Sequence, residues 1–143
     1  MRKQEELTPS MEDYLETILI LEQKNRVARV KDIAEKLAVQ MPSVTGALKS
    51  LKSRELVEYE KNSFINLTPK GLKLAKAIFQ RHKILVEFFS DALGLEGDYA
   101  EEQACKVEHA IDQDTALRFR NLTRWVVSRQ GDGPAPGSLA DGE

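Results

Sequence analysis

Apolar residues recur at helical spacing through most of the chain and alternate in only one short stretch. Tyr14, Ile18 and Leu21, with Leu15 and Leu19 beside them, form an apolar stripe of helical period. Thr8-Pro9-Ser10 supplies a stop and a cap, and Ser10 with Asp13 has a weak capping-box spacing, so a first helix is expected from about residue 10 to 23. Residues 30–38 predict a second helix with Ile33, Ala34 and Leu37 inward and Asp32, Glu35 and Lys36 outward. After a short turn, Val39-Gln40-Met41, Pro42 takes a first-turn position where its missing N–H costs nothing. Val44, Leu48 and Leu51 then give a third helix its inner side, while Ser43, Thr45, Gly46, Lys49 and Lys52 form a small, polar and basic outer side. Two short helices joined by a tight turn read as a helix-turn-helix, although any compact three-helix domain could carry the same pattern.

The period then changes. Leu56-Val57-Glu58-Tyr59-Glu60 and Phe64-Ile65-Asn66-Leu67-Thr68 alternate around the turn-like Lys61-Asn62-Ser63, which predicts a hairpin, or wing, directly after the third helix. Thr68-Pro69 caps a long helix expected over residues 69–93 and stopped by Gly94. Two more helices are expected over residues 99–111 and 114–127, the last with Leu117, Leu122, Trp125 and Val126 as apolar surface. Ile84, Phe88, Phe89 and Trp125 exceed what one small lobe can cover, which points to a homodimer. From residue 130 on, Gly131-Asp132-Gly133-Pro134-Ala135-Pro136-Gly137 reads as a disordered tail.

Charge sharpens this division. The net charge of -2 over 143 residues conceals 13 Lys/Arg against 5 Asp/Glu in residues 26–83, then 9 acids against the single base Lys106 in residues 84–117. A basic segment suits a polyanion and an acidic one suits cations, although solvated helix faces can also partition this way. One cysteine cannot form an intrachain disulfide. The start has no apolar leader pattern, and no run approaches the ~20 apolar residues that span a bilayer, so the expectation is a cytoplasmic protein with no membrane partner.

The acidic segment holds the one stretch that could carry chemistry, Cys105-Lys106-Val107-Glu108-His109. On a helix, Cys105, Glu108 and His109 share a face, and a thiolate, a carboxylate and an imidazole can converge on a divalent transition metal. The alternative is a buried free cysteine beside a surface Glu-His pair, since the motif lacks the paired spacing of a zinc finger. Asp13 and Glu16 also share a face, but acids in a first turn complement the helix dipole without any ligand.

Taken in order, these pieces resemble the metal-dependent repressors of the diphtheria-toxin-repressor and manganese-transport-regulator family. The resemblance is carried by Ser10-Met11-Glu12-Asp13-Tyr14-Leu15-Glu16, Val30-Lys31-Asp32-Ile33-Ala34-Glu35, Pro42-Ser43-Val44-Thr45, Leu67-Thr68-Pro69-Lys70-Gly71, Arg81-His82 and Cys105-x-x-Glu108-His109. It implies a mostly α fold: an N-terminal winged helix-turn-helix domain with a small β-hairpin wing, joined by a long helix to an all-helical dimerisation domain. The expected boundaries are 1–72 for DNA binding, 73–129 for metal binding and dimerisation, and 130–143 for the tail. The short, manganese-regulator form is the better match, without the SH3-like domain that some relatives add.

The resemblance also implies metal ligands at Asp13, Glu16, His82, Cys105, Glu108 and His109. Cys105 departs from the manganese type, which has a carboxylate there, and matches the iron type. Asp13 departs from the iron type, which usually has a methionine. The iron-type ancillary site is weakened, because Glu101 and Val86 stand where it has a histidine and an acid. A primary site of Asp13, Cys105, Glu108 and His109 is therefore expected, with a second ion near Glu16 and His82 that Glu101 could assist.

The implied cofactor is Fe(II) or Mn(II), and the implied partner is double-stranded operator DNA. Pro42, Ser43, Thr45 and Lys49 are candidates for reading it, with Lys49, Lys52, Arg26, Arg29 and the wing residue Lys61 as candidates for phosphate contacts. Gly46 has no side chain with which to read a base edge. The expected function is metal-activated repression controlling manganese or iron homeostasis, with no catalytic residues. The rival is a winged-helix regulator answering an organic effector, with the metal residues incidental. A metalloenzyme is disfavoured, because there is no evident general base in a cleft and no Gly-rich phosphate loop.

Overall fold

A computed structural model describes residues 7–25, 27–60 and 64–129. Among the described residues, six α-helices and one small hairpin follow in order: α1 Pro9–Asn25, α2 Val30–Leu37, α3 Met41–Ser53, β1 Val57–Glu58, β2 Asn66–Leu67, α4 Pro69–Glu87, α5 Gly97–Glu108 and α6 Gln113–Ser128. A π-helical turn, Phe88–Ala92, extends α4. The chain forms two compact units, Met1–Ile78 and Phe79–Glu143, which divide within α4.

In the first unit the apolar stripes meet as their periodicity requires. Leu15, Ile18, Ile33, Val44, Leu48 and Leu51 are fully buried where α1, α2 and α3 pack together. Thr8, rather than Ser10, caps α1: its hydroxyl accepts from Met11 N at 3.2 Å, and Pro9 opens the helix. The tight turn between α2 and α3 is made by Ala38 in the left-handed region, φ 53°, whose N–H returns to the last carbonyls of α2. Met41 belongs to α3 rather than to the turn.

The wing is shorter than the two five-residue strands expected from alternation. β1 and β2 pair antiparallel through Val57 with Leu67 and Glu58 with Asn66 only. An isolated bridge between Ala28 and Ile65 adds a third segment that the alternation did not indicate. Side chains take over from backbone at the sheet's edges. Glu22 of α1 accepts from Leu67 N at 3.1 Å, and Lys52 of α3 donates to the Tyr59 carbonyl at 2.9 Å. Lys61-Asn62-Ser63, Arg26 and residues 130–143 lie outside the described residues.

The junction between hairpin and α4 explains the Leu67-Thr68-Pro69-Lys70-Gly71 string. Thr68 donates its hydroxyl to Glu55 O at 2.7 Å and accepts from Gly71 N at 3.0 Å, capping α4 against the turn between α3 and β1. Gly71 is obligatory there, because a Cβ would collide with the Leu56 carbonyl. In the second unit, the π turn packs against α5 and α6, with Phe88 4.6 Å from Phe119 between ring centroids. Gly94, at φ +73°, ends this long helix as expected. α6 begins earlier than expected, capped by Asp112, whose carboxylate accepts from Thr115 N at 2.7 Å.

Exposure corrects part of the dimer argument. Ile84 is buried within the chain, so it leaves the set of residues that need a second copy. Trp125 (55% exposed), Leu122 (47%) and Val127 (43%) of α6 remain uncovered.

Candidate metal centre and DNA-facing surface

α5 brings Glu101, Cys105 and Glu108 to one face, at spacings of four and three. His82 of α4 lies along that face. Its Nδ1 is 3.0 Å from Glu108 Oε2, and its Nε2 is 2.8 Å from Glu101 Oε2. The other oxygen of Glu108, Oε1, is 3.4 Å from His109 Nε2. His82, Cys105 and Glu108 can each offer a ligand atom such that all lie within 4.8 Å of one another.

Two local expectations change. α5 ends at Glu108, so His109 is the C-cap residue rather than a mid-helix neighbour of Cys105. It nonetheless keeps helical dihedrals, φ -84° and ψ -8°, and its ring lies beside the Glu108 carboxylate. Burial also reverses the alternative reading of the motif: Cys105 is exposed, while Glu108 is 2% exposed.

This set fits a divalent transition metal. A carboxylate so deeply buried needs a partner, and both of its oxygens face imidazole nitrogens. Atoms that share an ion at ~2.1 Å stand about 3.0–3.4 Å apart, and the His82–Glu108 spacing of 3.0 Å lies in that range. Imidazole and thiolate suit Fe(II), Co(II) and Zn(II), whereas carboxylates suit Mn(II) as well. Asp13 and Glu16 lie three apart on α1 of the first unit, both half-buried.

On the first unit, Pro42, Ser43, Gly46 and Lys49 are exposed on α3. Thr45 turns its hydroxyl back to Met41 O at 3.1 Å, which leaves its methyl for any outward contact. Lys52 braces the hairpin through Tyr59 O, and Arg29 lies over the Phe64 ring at 5.1 Å. A shallow cavity of about 390 Å³ opens between Lys52, Tyr59, Phe64 and Asn66. The residue that sequence reasoning undervalued is Glu101. Its position four before Cys105 was a usable signal, because that spacing continues the same helix face.

Two family models match the chain. That for the N-terminal DNA-binding domain of iron-dependent repressors covers residues 6–64, and that for their metal-binding and dimerisation domain covers residues 68–128. The chain belongs to the iron-dependent repressor family. It is therefore a metal-dependent DNA-binding repressor with a dimerisation domain, in a family of transcriptional regulators rather than enzymes, and the organic-effector alternative is not favoured.

Among relatives, it is 37% identical over 118 residues to the HTH-type transcriptional regulator MntR of Bacillus pumilus (strain SAFR-032), covering 82% of this chain and 81% of that one. Among solved structures, the manganese regulator SloR matches with a TM-score of 0.72 and 30% identity, over 83% of this chain and 55% of SloR. IdeR of T. acidophilum matches with a TM-score of 0.69 and 26% identity, over 78% of this chain and 52% of IdeR. This chain thus spans about half the length of those two solved proteins. Among the described residues, no helix is long and apolar enough to cross a membrane.

Proposed function

We propose that the protein is a cytoplasmic homodimeric repressor, activated by Fe(II) or Mn(II), that controls manganese or iron homeostasis. The observation that carries this reading is the buried Glu108 carboxylate held between two imidazoles, with the Cys105 thiol in reach, inside the segment matched by the metal-binding model. The proposed division of labour is residues 1–72 for DNA binding, 73–129 for metal binding and dimerisation, and 130–143 as a tail.

Cys105, Glu108 and His109, with Asp13 from the first unit, form the proposed primary site. Glu16 and His82 serve a second ion. A bound cation supplies a positive charge that several anionic donors can share. Asp13 and Glu16 belong to the DNA-binding lobe and the other ligands to the dimer lobe, so a shared ion restricts how the two recognition helices are spaced. That selects, from pre-existing arrangements, a geometry matching half-sites about one helical turn apart or a multiple of it. The bias can be no larger than the difference in metal affinity between the two states.

On the DNA side, Pro42, Ser43, Thr45 and Lys49 are proposed to face base edges, and Arg26, Arg29, Lys52 and Lys61 to face phosphates. Leu122, Trp125 and Val127 of α6 supply apolar surface for the second copy.

Calorimetric titration of the chelator-treated protein with Mn(II), Fe(II), Co(II) and Zn(II) tests the metal reading. Saturable binding with a whole-number stoichiometry per subunit is expected, much weakened in Glu108→Ala. Heats no larger than those of dilution for all four metals would end it.

A further inference from the structure

We infer that Glu101 is a positioning residue for the metal centre: its carboxylate holds the Nε2–H of His82, so that the ring presents Nδ1 to the ion. This deepens the proposed function and rests on His82 being a ligand. The His82 ring is gripped at both ends by carboxylates of opposite character. Glu101 stands 2.8 Å from Nε2 with its side chain 57% exposed, whereas Glu108 stands 3.0 Å from Nδ1 with its side chain 3% exposed. The ligand cluster that includes His82 also contains Cys105 and Glu108, and not Glu101. The buried end of the ring therefore faces the donor atoms, and the exposed end faces a hydrated acceptor.

An imidazole bound to a metal through one nitrogen carries its hydrogen on the other. A carboxylate accepting that hydrogen fixes both the tautomer and the ring plane, and raises the donor strength of the ligating nitrogen. Glu101 can do this because it lies one turn before Cys105 on α5, and Cys105 lies about one turn before Glu108. The helix itself sets the distance between the holding group and the ligands. Rotation of the His82 ring would break the contact at Nε2 and turn Nδ1 away from Glu108.

The test uses the full chain, with Zn(II) as a diamagnetic probe and Co(II) for affinity, in wild type, Glu101→Gln, Glu101→Ala and His82→Gln. The chain has two histidines, so a long-range nitrogen–proton spectrum contains only the rings of His82 and His109, and His82→Gln assigns them. In Zn(II)-loaded wild type, the hydrogen of His82 is expected on Nε2 and the metal on Nδ1. Glu101→Ala should lose this single pattern and weaken the His82-dependent ion by about 10- to 100-fold, with unchanged stoichiometry. Glu101→Gln should retain pattern and affinity, because its amide oxygen still accepts from Nε2–H.

Loss of one ion per subunit in Glu101→Ala would overturn the inference, making Glu101 a ligand. So would unchanged affinity and spectra in that variant, or a Glu101→Gln protein as impaired as Glu101→Ala. If His82→Gln itself bound both metals as wild type does, His82 would not be a ligand and the proposed second site would fail with it. If only the Glu101 variants were silent, the site would stand and this inference alone would fall.

Discussion

Replacing glycine by alanine should have opposite effects at two helical positions of the DNA-binding unit. Gly46 lies inside α3, exposed, with nothing within 4 Å of a Cβ built on it. Gly46→Ala therefore gains the helix-propensity difference without steric cost, about 1 kcal/mol. Gly71 is the third residue of α4, and its Cβ would run into the Leu56 carbonyl, with the carbonyl carbon at 2.8 Å and Cα at 3.2 Å. That carbonyl cannot easily withdraw: it accepts from Thr68 N at 3.1 Å, and Leu56 is buried. Overpacking costs about 1–3 kcal/mol where side chains can shift, and a backbone obstacle puts the cost at the upper end or beyond. Set against a first-turn propensity gain below 1 kcal/mol, Gly71→Ala should be destabilised by about 2 kcal/mol or more. Urea unfolding of the metal-free proteins reads both, as a midpoint raised for Gly46→Ala and lowered for Gly71→Ala. A neutral or stabilised Gly71→Ala would refute the close approach of α4 to the hairpin. A destabilised Gly46→Ala would refute the open surface at Gly46.

Three further outcomes are expected. Cys105→Glu should raise activation by Mn(II) relative to Fe(II) or Co(II), because it replaces a soft donor with a hard one, and Cys105→Ala should weaken all three. Unchanged metal ranking by titration would remove Cys105 from the site. The Asp112 carboxyl is held below the ordinary carboxylate range by its hydrogen bonds to Thr115. Its contribution to stability should therefore be complete above the usual carboxylate pKa and disappear as pH falls through the lowered one. Melting of wild type and Asp112→Ala should differ at neutral pH and converge in acid, and a constant difference would contradict the cap. Trp125→Ala should weaken the dimer by on the order of 2 kcal/mol, as expected for a central aromatic anchor. Sedimentation equilibrium measures it, and an unaltered dimer would move the interface away from α6.

Much of this architecture was legible because its signals are local. Val44, Leu48 and Leu51 define the buried side of α3 by spacing alone, and Cys105 and Glu108 share a helix face by the same arithmetic. The misses concern what spacing cannot report. A π turn at Phe88–Ala92 shifts the hydrogen bonding to i→i+5, as in Leu93 N to Phe88 O, while leaving the apolar pattern unchanged. Alternation likewise cannot report that side chains of Glu22 and Lys52 take up backbone groups at the sheet's edges, Leu67 N and Tyr59 O. Burial of Glu108 and the grip of Glu101 on His82 arise from tertiary packing, which the spacing of residues along one helix does not report.

The central claim is that metal bound through Glu108 and its neighbours turns on DNA binding. It is tested most directly by footprinting an operator, selected from random sequence, with wild type and Glu108→Ala, in chelator and after adding Mn(II) or Fe(II). Protection by wild type is expected only with metal, and little or none by Glu108→Ala. Protection should weaken steeply with salt, with a log–log slope of about -0.9 per phosphate neutralised. Equal protection by wild type with and without metal would contradict it.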